Sequence, residues 1–180
     1  MTNLTTENIV VSAPLTDPLD LKKTAENLPD AIYNPAEASA IILHITSPLG
    51  MGALFANGTV MCTGVKNLDD AATLVELVGK RLYVAGVSVH EKPALKINTI
   101  VASVDFQKKL DLKSIAKSLK NQNMEYNPKQ FPGLIIQQKE QNTVILLFDS
   151  GKMVCTGPGS EEIACSIEKM TNDLSSLGVI

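Results

Sequence analysis

Apolar positions along this chain alternate between a strand-like period of two and a helix-like period near 3.6, and the whole succession is written twice. Short β-branched runs over 9–11 and 100–104 open each copy as strands. In the second copy Leu112, Ile115, Ala116 and Leu119 then fall at i, i+3, i+4 and i+7, the spacing of an amphipathic helix. Pro35 and Pro128 break helix, and strand patterns follow over 40–45, 52–56 and 59–63, with counterparts over 133–137, 144–148 and 152–156. Asn57-Gly58 and Ser150-Gly151 separate the last two strands of each copy as hairpin turns. Helices are predicted over 68–82 and 161–174, with acids at their starts to suit the helix dipole, and residues 83–96, with Gly86 and Pro93, form a linker.

The repetition extends to identities. Tyr33-Asn34-Pro35, Phe55, Gly58 and Cys62-Thr63-Gly64 recur 93 residues later as Tyr126-Asn127-Pro128, Phe148, Gly151 and Cys155-Thr156-Gly157. Between 33–64 and 126–157 the offset holds throughout and 10 of 32 residues are identical, including Ile42 with Ile135 and Leu54 with Leu147. Upstream the offset is 91, so two extra residues enter the second copy before Tyr126 and mark a loop. A repeat of about 90 residues exceeds the usual solenoid periods of roughly 20 to 50, so two copies mean a pseudo-twofold molecule. The repeats are expected to span 1–88 and 89–180 and to share one continuous sheet.

Both faces of the strand at 144–148 are apolar. Val144, Leu146 and Phe148 lie on one side, with Ile145 and Leu147 on the other, while Met153 and Cys155 alternate with Val154 and Thr156 in the next strand. Helices cover one face of such a sheet, and an antiparallel sheet ordinarily leaves the other polar. A second apolar face implies a ligand, a partner or a membrane. Its candidate members are Thr99, Val101, Phe131, Phe148, Val154 and Thr156, with Asn8, Val10, Ala38, Phe55, Met61 and Thr63 as their first-copy equivalents.

Composition narrows the choice. With 180 residues, 44% hydrophobic and 19% charged, the chain is ordinary for a folded soluble protein. No apolar run approaches the roughly 18 residues that span a bilayer, and Met1-Thr2-Asn3-Leu4-Thr5 lacks the features of a signal peptide, which points to an intracellular protein. Three cysteines without a Cys-x-x-Cys pair speak against a disulfide framework and a zinc site, and read as reduced core residues. His44 and His90 form no recognisable triad, no metal-ligand spacing exists and no cofactor is implied, which sets an enzyme aside. A net charge of −3 gives no basic footprint for nucleic acid, so any such partner must be met by one face alone.

The sequence resembles the TATA-box-binding protein family, and the resemblance runs from about Asn8 to Leu174. It is carried by residues 125–134 (EYNPKQFPGL) and 146–157 (LLFDSGKMVCTG), with Ile100-Val101-Ala102-Ser103 and Leu110-Asp111-Leu112-Lys113 upstream. The chain is most similar to the compact archaeal form, which implies cytoplasm or nucleoid as its place, or the nucleus for a eukaryotic member. The family implies an α+β saddle: pseudo-twofold, a curved ten-stranded antiparallel sheet with four helices on its convex face. It implies that the underside binds and bends A·T-rich, TATA-like double-stranded DNA through the minor groove, and that transcription factor B and RNA polymerase are recruited. Phe131 and Phe148 become the wedge pair of the second half, Leu146, Val101 and Val154 lie against sugars and base edges, and Thr156 donates near the centre. In the first half Asn8 donates, Val10 and Thr63 touch the groove, and Phe55 is a wedge, with Met61 beside them. Lys152 corresponds to a phosphate-binding lysine, and Asn127, Lys129 and Gln130 to the stirrup that meets transcription factor B. The same uncovered face leaves self-association of the free chain as a homodimer open.

The chain departs from the family pattern mainly in its first half. Ala38 and Ala53 stand where a wedge and a leucine are usual, His44 and Gln137 occupy common arginine sites, and Thr59 replaces the lysine that Lys152 keeps. Thr99 takes the place of an asparagine donor, beside Asn98. The expectation is DNA binding that is weaker, more polar in orientation and less salt-sensitive than the family norm. The alternative is a divergent paralogue that uses the saddle mainly as a protein-binding regulator.

Overall fold

The computed structural model describes residues 4–119 and 123–180. Residue contacts divide the chain into two units: Asn8–Asn98, and Thr99–Ile180 joined by the stretch that ends at Glu7. The first unit contains β1 (Thr5–Pro14, entering at Asn8), α1 (Leu21–Glu26), β2 (Ala31–Ile32), β3 (Ala40–Thr46), β4 (Leu49–Phe55), β5 (Thr59–Val65) and α2 (Leu68–Val84). Its strands run antiparallel in the order β2-β3-β4-β5-β1. The second contains β6 (Lys96–Asp105, entering at Thr99), α3 (Leu112–Ser118), β7 (Met124–Glu125), β8 (Gly133–Gln138), β9 (Thr143–Phe148), β10 (Lys152–Gly157) and α4 (Ser160–Ser176). Its order, β6-β10-β9-β8-β7, repeats the first.

Equivalent residues make equivalent local structure. Asp20 caps α1 through the amides of Lys22 and Lys23, and Asp111 caps α3 through those of Lys113 and Ser114. The Ser114 hydroxyl, 2.6 Å from Asp111 Oδ2, holds that carboxyl below its ordinary pKa. Each β4–β5 and β9–β10 hairpin closes with a turn bond, Gly58 N to Phe55 O at 2.9 Å and Gly151 N to Phe148 O at 3.0 Å. Gly58 and Gly151 have φ of +83° and +92°, and a Cβ there would fall within 1.9 Å of Thr16 O and 2.2 Å of Lys108 O. A three-residue loop with a left-handed glycine is one of the favoured hairpin closures, and no other residue fits here.

The long helices lie on one face of their sheets. Leu74, Val78 and Leu82 of α2 are buried over β4 and β5, and Ile163, Met170 and Leu174 of α4 over β9 and β10. Every second strand residue below them is buried as well: Ile41, Leu43, Leu54, Val60 and Cys62 in one unit, Leu134, Ile136, Ile145, Leu147, Met153 and Cys155 in the other.

Several boundaries differ from the sequence expectation. The two-residue edge strands β2 and β7 are too short to carry a period, and β1 extends four residues toward the N-terminus beyond its apolar run, through Thr5-Thr6-Glu7-Asn8. The linker shortens to 85–95 and is pinned by His90, whose backbone N–H donates to Leu15 O at 2.8 Å and whose ring lies 2.9 Å from Pro14 O. Cys62 and Cys155 are core residues as expected, whereas Cys165 is exposed on α4. The loop expected ahead of Tyr126 includes residues 120–122, which lie outside the described residues. No helix among the described residues is long and apolar enough to cross a membrane.

Candidate nucleic-acid interface

The face turned away from the helices is apolar in both units and half-buried along most of its length. In β9 and β10 the alternation is strict: Val144, Leu146, Phe148, Val154 and Thr156 keep partial exposure while Thr143, Ile145, Leu147, Met153 and Cys155 are buried. Antiparallel register aligns these residues across strands. One row runs Ser103, Val154, Leu146, Ile135, and the next Val101, Thr156, Val144, Gln137. The first unit has the matching rows Ser12, Met61, Ala53, Ile42 and Thr63, Met51, His44, with Val10 on the same face of β1.

At the outer end of the second unit stand Phe131 and Phe148, ring centroids 5.9 Å apart and planes tilted by 59°. Their approach depends on Gly133, which pairs with Phe148 and where a Cβ would sit 2.8 Å from Phe131 Cε1 and 3.2 Å from Phe148 Cε1. Phe55 holds the equivalent place in the first unit, paired with Ala40, and Ala38 supplies no second ring.

Asn8 is held in a defined orientation. The Gly64 N–H can only donate, so its 2.9 Å bond fixes Asn8 Oδ1 toward it, and Asn8 Nδ2 then donates to Thr63 Oγ1 at 2.9 Å. The Thr63 hydroxyl donates back to Asn8 Oδ1 at 3.3 Å, so one amide N–H of Asn8 remains able to donate outward. Thr99 is half-buried, and next to it Asn98 has a buried Oδ1 that makes no hydrogen bond among the described residues. The asparagine of the second copy is therefore turned inward, in keeping with a donor lost at position 99.

Lys152, at the exposed end of β10, is not a bare cation. Its Nζ lies 3.5 Å from Glu7 Oε1, and the same oxygen accepts from Ser103 Oγ at 2.6 Å. The turn after β7 is exposed: Asn127 Nδ2 donates to Gln130 Oε1 at 2.9 Å, and Gln130 N and Phe131 N both donate to Asn127 O, which leaves the Lys129 side chain outward. Asn34 builds the same turn in the first unit, where Ala36 and Glu37 take the places of Lys129 and Gln130.

The sequence-selected residues thus fall into two sets, Asn8, Val10, Phe55, Met61 and Thr63 in one unit and Thr99, Val101, Phe131, Leu146, Phe148, Lys152, Val154 and Thr156 in the other. Ile42, Ile135, Met51, Gly133 and Glu7 escaped that selection. Ile42 and Ile135 carried a signal, being identical between copies and on the open-face parity. Glu7 carried none, because Ser103 and Lys152, which it contacts, lie 96 and 145 residues away.

The chain matches the family model described as transcription factor TFIID, or TATA-binding protein, twice, over residues 3–84 and 94–177. It is 40% identical to the TATA-box-binding protein of Picrophilus torridus, covering 100% of this chain and 98% of that one. Identity to the corresponding Archaeoglobus fulgidus protein is 37%, over 97% and 96% of the two chains. The solved Methanococcus jannaschii TBP superposes with a TM-score of 0.85 at 32% identity, over 97% of this chain and 99% of that one, so the α+β fold of ten strands and four helices is that protein's fold. By sequence along its whole length and by fold, the chain is a member of the TATA-binding-protein family.

Proposed function

We propose that this protein is a general transcription initiation factor that seats its open apolar face in the minor groove of an A·T-rich promoter element and bends it. The observation that carries the reading is the half-buried apolar strip opposite the helices, along which polar side chains such as Asn8, Thr63 and Thr156 are few among the valines, leucines, isoleucines, methionines and phenylalanines. In the minor groove A·T and T·A pairs present acceptors only, while G·C adds an amino donor. Apolar side chains with a few donors therefore match A·T and leave the guanine amino group unpaired.

Phe131 and Phe148 act as the wedge of the second unit and Phe55 as a lesser wedge of the first, a mode of binding for which this family is itself the reference case. Flexible TA steps lower the cost of the kink and add sequence preference where no base edge is touched. Membership of the family and the exposed turn carrying Asn127, Lys129 and Gln130 support recruitment of transcription factor B at that turn, and of RNA polymerase through it.

The test is a titration of a TATA duplex and a G·C-substituted duplex, each carrying donor and acceptor dyes at its ends. Tighter binding and a larger end-to-end approach are expected for the TATA duplex. Equal, negligible binding to both, even with transcription factor B present, rules the reading out.

A further inference from the structure

The Glu7 carboxylate occupies the cation on which phosphate binding depends. Glu7 Oε1 takes the Ser103 hydroxyl at 2.6 Å and the Lys152 ammonium at 3.5 Å, so the serine anchors the acid beside the lysine. Lys152 is about half exposed at 48% and Glu7 less so at 32%, which leaves the pair reachable by a ligand yet held against the sheet. We infer that Glu7 is an electrostatic brake on DNA binding: a phosphate must displace its carboxylate to reach Lys152. This inference rests on the minor-groove reading above.

The internal repeat sharpens the inference. The counterparts of Glu7, Ser103 and Lys152 in the other copy, at offsets of 91, 91 and 93, are Asn98, Ser12 and Thr59. The acid occurs in the copy that keeps the lysine, and where the lysine is lost the counterpart of the acid is neutral. Of these three positions, one copy holds an acid and a base in contact and the other holds neither. A lysine that binds phosphate from solution releases condensed counterions and steepens the salt dependence by about one unit of log–log slope. A lysine that trades a carboxylate for a phosphate adds much less, because its charge was already balanced.

Glu7→Gln keeps an Oε1 acceptor for Ser103 and removes the charge. Anisotropy titrations of a TATA duplex, from about 50 to 300 mM KCl, compare the wild type, Glu7→Gln, Lys152→Gln and the double variant. Glu7→Gln is expected to bind about three- to tenfold more tightly at the lowest salt, with a slope steeper by about one unit, and both gains should vanish in the Lys152→Gln background. Should Glu7→Gln fail to fold, Glu7→Ala must give the same change in slope, since the charge and not the acceptor is responsible. Wild type and Glu7→Gln binding alike while TATA preference persists would overturn the brake and leave the promoter reading standing. An equal gain with and without Lys152 would also overturn it, reducing Glu7 to a general repulsion. Absence of duplex binding by all four proteins would sink both proposals together.

Discussion

Beneath their long helices the two units fill the same space with opposite volumes. In the first, β4 carries Gly50 and Gly52, and a Cβ on either would lie 2.5 Å from Leu74 Cδ1 or 2.7 Å from Val78 Cγ2 of α2. In the second, the equivalent strand positions are Thr143 and Ile145, and the helix answers with the small Ser166, whose hydroxyl is 2.6 Å from Thr143 Oγ1. At the Gly50 position volume lost from the sheet is returned by the helix, Leu74 standing where the other unit has Ser166, as a close-packed interior requires; at the Gly52 position the helix residue equivalent to Val78 is the larger Met170, and no such exchange occurs. The open face follows no such rule. Phe131 and Lys152 have the smaller Ala38 and Thr59 as counterparts, whereas Ala53 in place of Leu146 is partly offset by its cross-strand partner, Met61 where the other unit has Val154. One face is a core that must be full, whereas the open face tolerates the loss of a ring at 38 and of a lysine at 59 between the copies.

The largest effects should come from disturbing the filled side. Ile145→Ala empties a fully buried site and should cost about 2 to 5 kcal/mol by urea unfolding. Gly52→Ala should be destabilising too, by about 1 to 3 kcal/mol, because its methyl meets Val78. Adding Val78→Ala should recover part of that loss, so that the double variant is more stable than the two single losses added together predict. A Gly52→Ala protein as stable as the wild type would show that β4 keeps its glycines for some reason other than α2.

On the open side the expected effects fall on DNA binding. Phe131→Ala or Phe148→Ala should weaken the TATA complex by about 2 kcal/mol, roughly thirtyfold, and reduce the bend at one end, since each removes half of a ring pair. Phe55→Ala should cost less, because its counterpart wedge is already Ala38, and Ala38→Phe should increase the bend. Equal losses from Phe55→Ala and Phe148→Ala would remove the asymmetry between the halves.

Much of this contrast was legible in the sequence because it lies in residues that alternate. The period of two through Val144–Phe148 and Met153–Thr156 fixed which side chains share a face, and the constant offset carried the assignment to the first copy. Glycine hid the rest. Gly50 and Gly52 interrupt the apolar pattern, so β4 was expected from 52 and begins at Leu49, and its helix-facing side looked blank where it is filled by Leu74 and Val78. The polar start of β1 concealed Glu7 in the same way: nothing local distinguishes a strand glutamate that meets Lys152 from one that meets water. The exposure of Cys165 follows from its place two residues from Ile163 and Ile167, which turns it away from the buried side of α4, a phase that composition alone does not carry.

A smaller effect should follow from the donors at the centre of the open face. Asn8→Ala removes a bond to Thr63 and leaves the Gly64 N–H without its acceptor, and should weaken TATA binding about tenfold. Thr99→Asn supplies the donor that the second copy lacks and should strengthen binding by a similar or smaller factor. If Thr99→Asn instead weakens the complex while leaving the fold intact, the two halves do not read the groove in equivalent ways.

The smallest expected effect compares the two buried thiols, one of which has a threonine hydroxyl beside it where the other has a glycine. Burial pushes Cys62 up to about 12 and Cys155, where the desolvation is less complete, up to about 11, and the Thr143 hydroxyl, absent where Gly50 stands, also stabilises the Cys155 thiolate. An unfolded thiol ionises near 9, so these protonated thiols destabilise nothing below that pH. As pH climbs above it the unfolded chain loses protons that the folded chain keeps, and stability falls by up to about 1 kcal/mol per thiol by roughly pH 9.5. Cys62→Ala and Cys155→Ala should each flatten the alkaline decline of the urea midpoint. Because the folded thiol of the second unit begins to ionise first, Cys155→Ala should lose its flattening effect at a lower pH than Cys62→Ala. Thr143→Val should narrow that difference by taking away the hydroxyl while keeping the volume, and an unchanged difference would mean that the two thiols are separated by burial alone.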